Sequence, residues 1–167
     1  MRTIRENTEL LNRCVTEGSP GRTPWILFIN FPLIASITGV QSSEYFHDPQ
    51  AMTEAQAETF RKLGTDGPLS PDFGTVAEAS AYGGRVVYDR EGIPSIQPDP
   101  GLETADLIPE APTDPRTSGL MARQLEFLEY MAAHCPPGME VASCNMMAPL
   151  TAAATLRGIS DFCVDVI

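Results

Sequence analysis

Basic side chains are scarce in this chain. Eleven Lys and Arg stand against 22 Asp and Glu, giving a net charge of −11 and a pI near 4.5. That balance argues against nucleic acid and against an anionic membrane surface, both of which favour basic patches. It also disfavours a highly anionic substrate unless arginines cluster locally. Long apolar runs are missing too. The longest, from Pro24 to Ile37, is interrupted by Asn30 and Pro32 and falls short of the ~20 residues that span a bilayer as a helix. The N-terminal Met1-Arg2-Thr3-Ile4-Arg5-Glu6-Asn7 has no apolar core of a signal peptide. There is no C-x-x-C pair, because Cys14, Cys135, Cys144 and Cys163 lie far apart. Free thiols in a reducing compartment are therefore expected, and with them a cytoplasmic protein without nucleic-acid or membrane partners. His134-Cys135 is adjacent at a helix end, where neighbours point in different directions, so no metal site is expected there. No internal repeat or low-complexity tract appears.

What is present suits a single α/β domain: 167 residues, 43% of them hydrophobic, are enough for one core. A first helix is expected over Ile4 to Thr16, with Leu10, Leu11, Cys14 and Val15 as its apolar stripe. Six of the seven residues from Trp25 to Phe31 are apolar, and Pro24 and Pro32 bound them, the pattern of a buried strand. Asp48-Pro49 supplies an N-cap and a first-turn proline for a helix ending at Leu63-Gly64, with Met52, Ala55, Phe60 and Leu63 facing the core. Thr65 to Phe73 reads as a second strand, weakened by Pro68 and Pro71, and Thr75 to Tyr82 as a short helix closed by Gly83-Gly84. A small hairpin follows, with arms Arg85–Asp89 and Ile93–Ile96 around Arg90-Glu91-Gly92, its second arm held to an edge by Pro94. Residues 97–113 have the composition of a surface connection. Asp114-Pro115 opens a helix to about His134, with Met121, Leu125, Leu128 and Ala132 along one face. Met139 to Cys144 reads as a third strand; Pro149 starts an Ala-rich helix that Gly158 stops, ahead of the apolar segment Ile159–Ile167.

Several of these segments coincide in order with a known pattern: the strand at Trp25–Phe31, GVQSSEYFHDPQAMTEAQAETFRKLGTDG at 39–67, SPDFGTVAEASAYGGRVVYDREGIPSI at 70–96, and APLTAAATLRGISDF at 148–162. Together they resemble the uroporphyrinogen decarboxylase superfamily, which includes the haem-pathway decarboxylase and the corrinoid-dependent methyltransferases. The resemblance implies a (β/α)₈ TIM barrel with substrate at the carboxyl ends of its strands. Such barrels run to about 250 residues, so the chain reads as the N-terminal three strand–helix units, truncated, with a hairpin insertion after the second. Self-association or a partner chain would then cover the open edge of the barrel.

By the same resemblance, Asp72 matches the aspartate that faces the pyrrole N–H groups in the decarboxylase branch. A carboxylate suits that chemistry because it stabilises a ring made cationic by protonation; the alternative role is a turn aspartate capping the helix near Thr75. Asn30 and Asn145 end the first and third strands and are expected to reach substrate at the mouth, or else to close their turns. Met146, with Met147, is expected to line an adaptable pocket, or to pack beneath the loop. Cys144 is expected to be a buried packing thiol, and Glu78 and His47 to be solvated. The Arg-rich segment that binds substrate carboxylates in the decarboxylase branch is replaced by Phe31-Pro32-Leu33-Ile34-Ala35-Ser36-Ile37-Thr38-Gly39, which has no cationic fork. The methyltransferase branch is therefore the nearer expectation, with a small molecule or a corrinoid protein as substrate. Its zinc-binding His-x-Cys and later Cys find no match here, so no metal or cofactor is expected within this chain; zinc and corrinoid would enter only with a full-length methyltransferase. The alternatives are a porphyrinogen carboxy-lyase using Asp72 and a non-catalytic half-barrel subunit.

Overall fold

The structure, a computed structural model, describes residues 4–18, 21–88, 93–97 and 113–167. Among these residues the chain is a mixed α/β arrangement of eight helices and one two-stranded antiparallel hairpin. The helices are α1 (Ile4–Glu17), α2 (Phe31–Thr38), α3 (Ser42–Tyr45), α4 (Pro49–Leu63), α5 (Ala77–Ala81), α6 (Gly119–His134), α7 (Pro149–Arg157) and α8 (Ile159–Asp165). The hairpin pairs β1 (Arg85–Val87) with β2 (Ser95–Gln97), Val86 opposite Ile96. Its expected turn and most of the 97–113 connection lie outside the described residues.

The three expected strands are extended segments rather than laddered strands. The first runs to Asn30 and touches the second through Asp66 N–H donating to Trp25 O at 2.9 Å. The second meets the third at one parallel bridge, Leu69 with Val141, where Leu69 N–H donates to Glu140 O and Ala142 N–H to Leu69 O, each at 2.8 Å. Side chains occupy the places where further rungs would form. Trp25 N–H donates to the Asp66 carboxylate at 3.0 Å and Leu27 N–H to the Thr65 hydroxyl at 3.3 Å. Pro68 and Pro71 have no N–H to offer a ladder. The Asp66 carboxylate also takes both arms of Arg22, at 2.6 and 2.7 Å. This fork fixes the entry of the first segment to the second.

Several local expectations need correction. The first strand was expected to be buried and to include Phe31, but Phe28 is 85% exposed and Phe31 already opens α2. The proline at the start of α2 favours a helix there, and Gly39 ends it in the left-handed region at φ 79°. Val15 of the α1 stripe is exposed, while Leu10 is buried. Asp114 caps only a turn, accepting from Arg116 N–H at 2.9 Å, and α6 begins five residues later at Gly119. The core face of α6 is Gln124, Phe127 and Met131, not the expected Met121–Leu125–Leu128–Ala132 row. Both rows keep helical spacing, and packing against α4 and α5 selects between them.

α4 follows expectation. The Asp48 carboxylate accepts from Gln50 N–H at 2.8 Å, Gly64 closes the helix at φ 67°, and Met52, Ala55 and Phe60 are buried. Beside it sits an aromatic cluster. The Phe46 ring lies 5.1 Å from Phe31, 5.0 Å from Tyr45 and 6.2 Å from Phe73, and Phe73 lies 5.0 Å from Phe127. Each such ring, fully buried, contributes about 1.5–3 kcal/mol by removal from water. The cluster, an aromatic floor shared by α2, α3, α4 and α6, adjoins the segment ends through Phe31, which follows Asn30, and Phe73, which follows Asp72.

Candidate functional site

The ends of the three extended segments converge. Asn30, Asp72 and Asn145, one from each segment, line a single cavity of about 270 Å³, together with Gln56, Ser70 and the apolar Ile29. Parallel α/β arrangements put ligands at this end of their strands.

Among the described residues Asp72 is the one acid that lines the cavity. Its Oδ1 accepts from Gly74 N–H at 3.0 Å, the turn role anticipated from sequence, and its own N–H points to the Met52 sulfur at 3.4 Å. Its Oδ2 is buried and has no hydrogen-bond partner among the described residues. Burial pushes the carboxyl up from the usual range, and the Gly74 hydrogen bond opposes this only in part. The Tyr45 phenol is pushed well up, first by burial and then by the Asp72 charge.

Gln56 holds the segment that carries Asp72. Its amide oxygen accepts from Ser70 N–H at 3.1 Å, and its NH₂ donates to Ser70 O at 2.8 Å and to Tyr45 Oη at 2.9 Å. One side-chain amide thus pairs with both backbone groups of Ser70, as a neighbouring strand would. Buried side-chain amides are stable only when satisfied in this way. The sequence signal was available: Gln56 stands midway between Met52 and Phe60 at four-residue spacing, a polar group in a buried stripe.

Asn30 stands at the N-cap of α2, yet its side chain makes no capping hydrogen bond, and both Asn30 and Asn145 are exposed at the cavity wall. Met146 lies elsewhere, 65% exposed and lining two other cavities. Cys144 is half-buried, its Sγ 3.7 Å from Gln124 O, and burial pushes its thiol up. Cys135 donates to Met139 O at 3.1 Å, and its thiol is likewise raised by burial. His134 stacks on Tyr130 with ring centroids 4.1 Å apart. His47 is exposed, as expected. Glu78 is not solvated: it is 8% exposed, and its carboxylate accepts from Met147 N–H at 2.6 Å. Its place between the buried Ala77 and Ala79 of α5 explains this.

The family model for uroporphyrinogen decarboxylase (URO-D) matches residues 7–166. The chain belongs to the uroporphyrinogen decarboxylase family. Neither curated proteins nor solved structures yield a match. The match takes in all three extended segments and every residue of the cavity wall described above. Among the described residues no three His, Cys, Asp or Glu side chains gather as a metal site, and no helix is long and apolar enough to cross a membrane.

Proposed function

We propose that the chain forms the first three strand–helix units of a URO-D barrel, and that the Asp72 cavity is part of the substrate pocket of a methyltransferase-branch enzyme. The barrel reading is supported by the order of the extended segments, which neighbour one another in chain order, the second and third in parallel. The branch reading is carried by one observation. Among the described residues no Arg, Lys or His lines the Asp72 cavity, and Phe31–Thr38 is a helix without arginine. A polycarboxylate substrate needs cationic forks to replace its hydration, and this wall has none.

In this reading Asn30 and Asn145 orient a substrate through their amides. Asp72, whose carboxyl is raised by burial, offers the buried Oδ2 as the place where a proton is held or passed on. The methyl group passes between a corrinoid, carried by another protein, and a thiol-type acceptor. The thiol-activating zinc of that branch has no ligand set among the described residues. The raised thiols of Cys135 and Cys144 are also poor nucleophiles, so no step is assigned to either. A cytoplasmic setting belongs to the same reading.

The carboxy-lyase reading is favoured by the buried, unpartnered Oδ2 of Asp72, a group able to offset a cationic ring. Parallel assays separate the two. The barrel completed by the remaining strand–helix units that this reading requires, with zinc supplied, is incubated with methylcobalamin and 2-mercaptoethanol, following the corrinoid visible spectrum, and anaerobically with uroporphyrinogen, separating the products by chromatography. Thiol-dependent demethylation without decarboxylation is expected. Decarboxylation abolished by Asp72→Asn would replace the methyltransferase reading with the carboxy-lyase. Inactivity in both assays, with a stable dimer by light scattering, would favour a non-catalytic subunit.

A further inference from the structure

The loop after the third segment serves two cavities. Asn145 faces the one already described; Met146 and Met147 face another, of about 590 Å³, between α5, α6, α7 and α8. The two share no lining residue. The volume of the second lies within the ~300–1,000 Å³ typical of small-molecule sites.

Its wall is largely hydrocarbon and thioether, from Met121, Met147, Leu156 and Phe162 among others. Among the described residues three charged side chains reach it: Glu78, Arg157 and Asp165. Arg157 Nε lies 2.7 Å from Asp165 Oδ2 and its Nη2 3.4 Å from Oδ1, so these two charges cancel across the α7–α8 junction. Glu78 supplies the remaining negative charge. A carboxylate sunk against an apolar wall is costly unless a cation or several donors compensate it, and the Met147 N–H is one donor.

We propose that this cavity binds a small organic monocation with an apolar body, an alkylammonium, its charge beside Glu78 and its hydrocarbon against Met121, Met147 and Leu156. The rings of Tyr82 and Phe162 in the lining attract such cations through their negative faces, and flexible Met side chains fit an irregular apolar body. The net charge of −11 enriches cations near the surface and repels anions. An anionic ligand of the same shape meets Glu78 with like charge.

Calorimetric titration of the whole chain with hexyltrimethylammonium, hexanesulfonate and hexanol tests the proposal. The cation is expected to bind at least about tenfold more tightly than either of the others. Glu78→Gln keeps an acceptor for Met147 N–H and should lower cation affinity about tenfold while leaving hexanol binding unchanged. Met146→Ala, at the exposed rim, should weaken both ligands by about threefold and serves if Glu78→Gln fails to fold by circular dichroism. Absence of cation binding, equal affinity for the sulfonate, or unchanged affinity in a folded Glu78→Gln protein would overturn it.

Discussion

The aromatic floor between α2, α3, α4 and α6 and the α7–α8 end are both apolar in sequence, yet only the first hides its apolar side chains fully. Phe31, Tyr45, Phe46, Phe73 and Phe127 are buried, whereas Ile159 and Val164 of α8 are 72% and 73% exposed. Partners make the difference. α4 packs against α2, α3 and α6, while α8 packs principally against α7. Removal from water needs a second surface, and hydrophobic composition alone supplies none.

The largest effect is expected where the floor is densest. Phe46→Ala removes a ring in contact with Phe31, Tyr45 and Phe73. Loss of the ring plus the cavity left behind should cost about 3–5 kcal/mol. Urea unfolding measures it. A loss below about 1 kcal/mol, the ordinary surface-to-average range, would mean that the floor is no better packed than the α8 end.

Gly119→Ala tests how tightly the floor is joined to its surroundings. Gly119 has φ +51°, and a Cβ there would stand 2.5 Å from Ser80 Oγ and 2.7 Å from Ala81 N. Ser80 Oγ already accepts from Leu120 N–H at 2.8 Å, so it cannot withdraw without losing that bond. Backbone strain and overlap together should cost about 2–3 kcal/mol. Thermal unfolding would reveal a looser α5–α6 junction if the variant matched the parent.

The same contrast explains what the sequence could convey. α4 was legible from end to end because Asp48, Pro49 and Gly64 act locally, each through its own backbone neighbours. The places of Asn30 and Asn145 were legible too, since each stands where an apolar run stops, whereas Asp72 entered only through the family resemblance, its own segment being broken by Pro68 and Pro71. The core face of α6 was not: Met121–Leu125–Leu128 and Gln124–Phe127–Met131 are both helical rows, and only tertiary packing decides between them. Nor was α2 read as a helix, because Phe31 to Ile37 is apolar apart from Ser36 and short apolar runs carry no period. Glu78 was misjudged for a related reason. Its burial depends on Met147 N–H, 69 residues away.

Asp72→Asn compares a functional group with the packing around it. The carboxyl is raised by burial, so the folded state holds its proton more tightly than the unfolded chain does. Its contribution is therefore fully present below the unfolded value and is lost as pH rises through the folded one. Asparagine keeps the acceptor for Gly74 N–H and carries no charge. The variant should be more stable than the parent at neutral pH, by on the order of 1 kcal/mol, and the gap should close toward acid. Urea midpoints for both proteins across the acid-to-neutral range check the sign. A parent that gains stability on Asp72 ionisation would show that Oδ2 is compensated in solution.

Val164→Lys addresses the other side of the comparison and should have the smallest effect. Val164 is exposed on α8, and helix α7 is anchored without it, through Leu156 packed with Val76, Ala79 and Ile96. A lysine there meets water rather than a wall, so the change should stay within about 0.5 kcal/mol. Leu156→Ala, by contrast, empties a buried place and should cost about 2–5 kcal/mol. Measured side by side, the pair separates apolar residues that hold the fold from those that only border it. A loss of more than about 1.5 kcal/mol for Val164→Lys, well outside the surface range, accompanied by a lower mass in light scattering, would instead mean that a second copy covers α8 in solution.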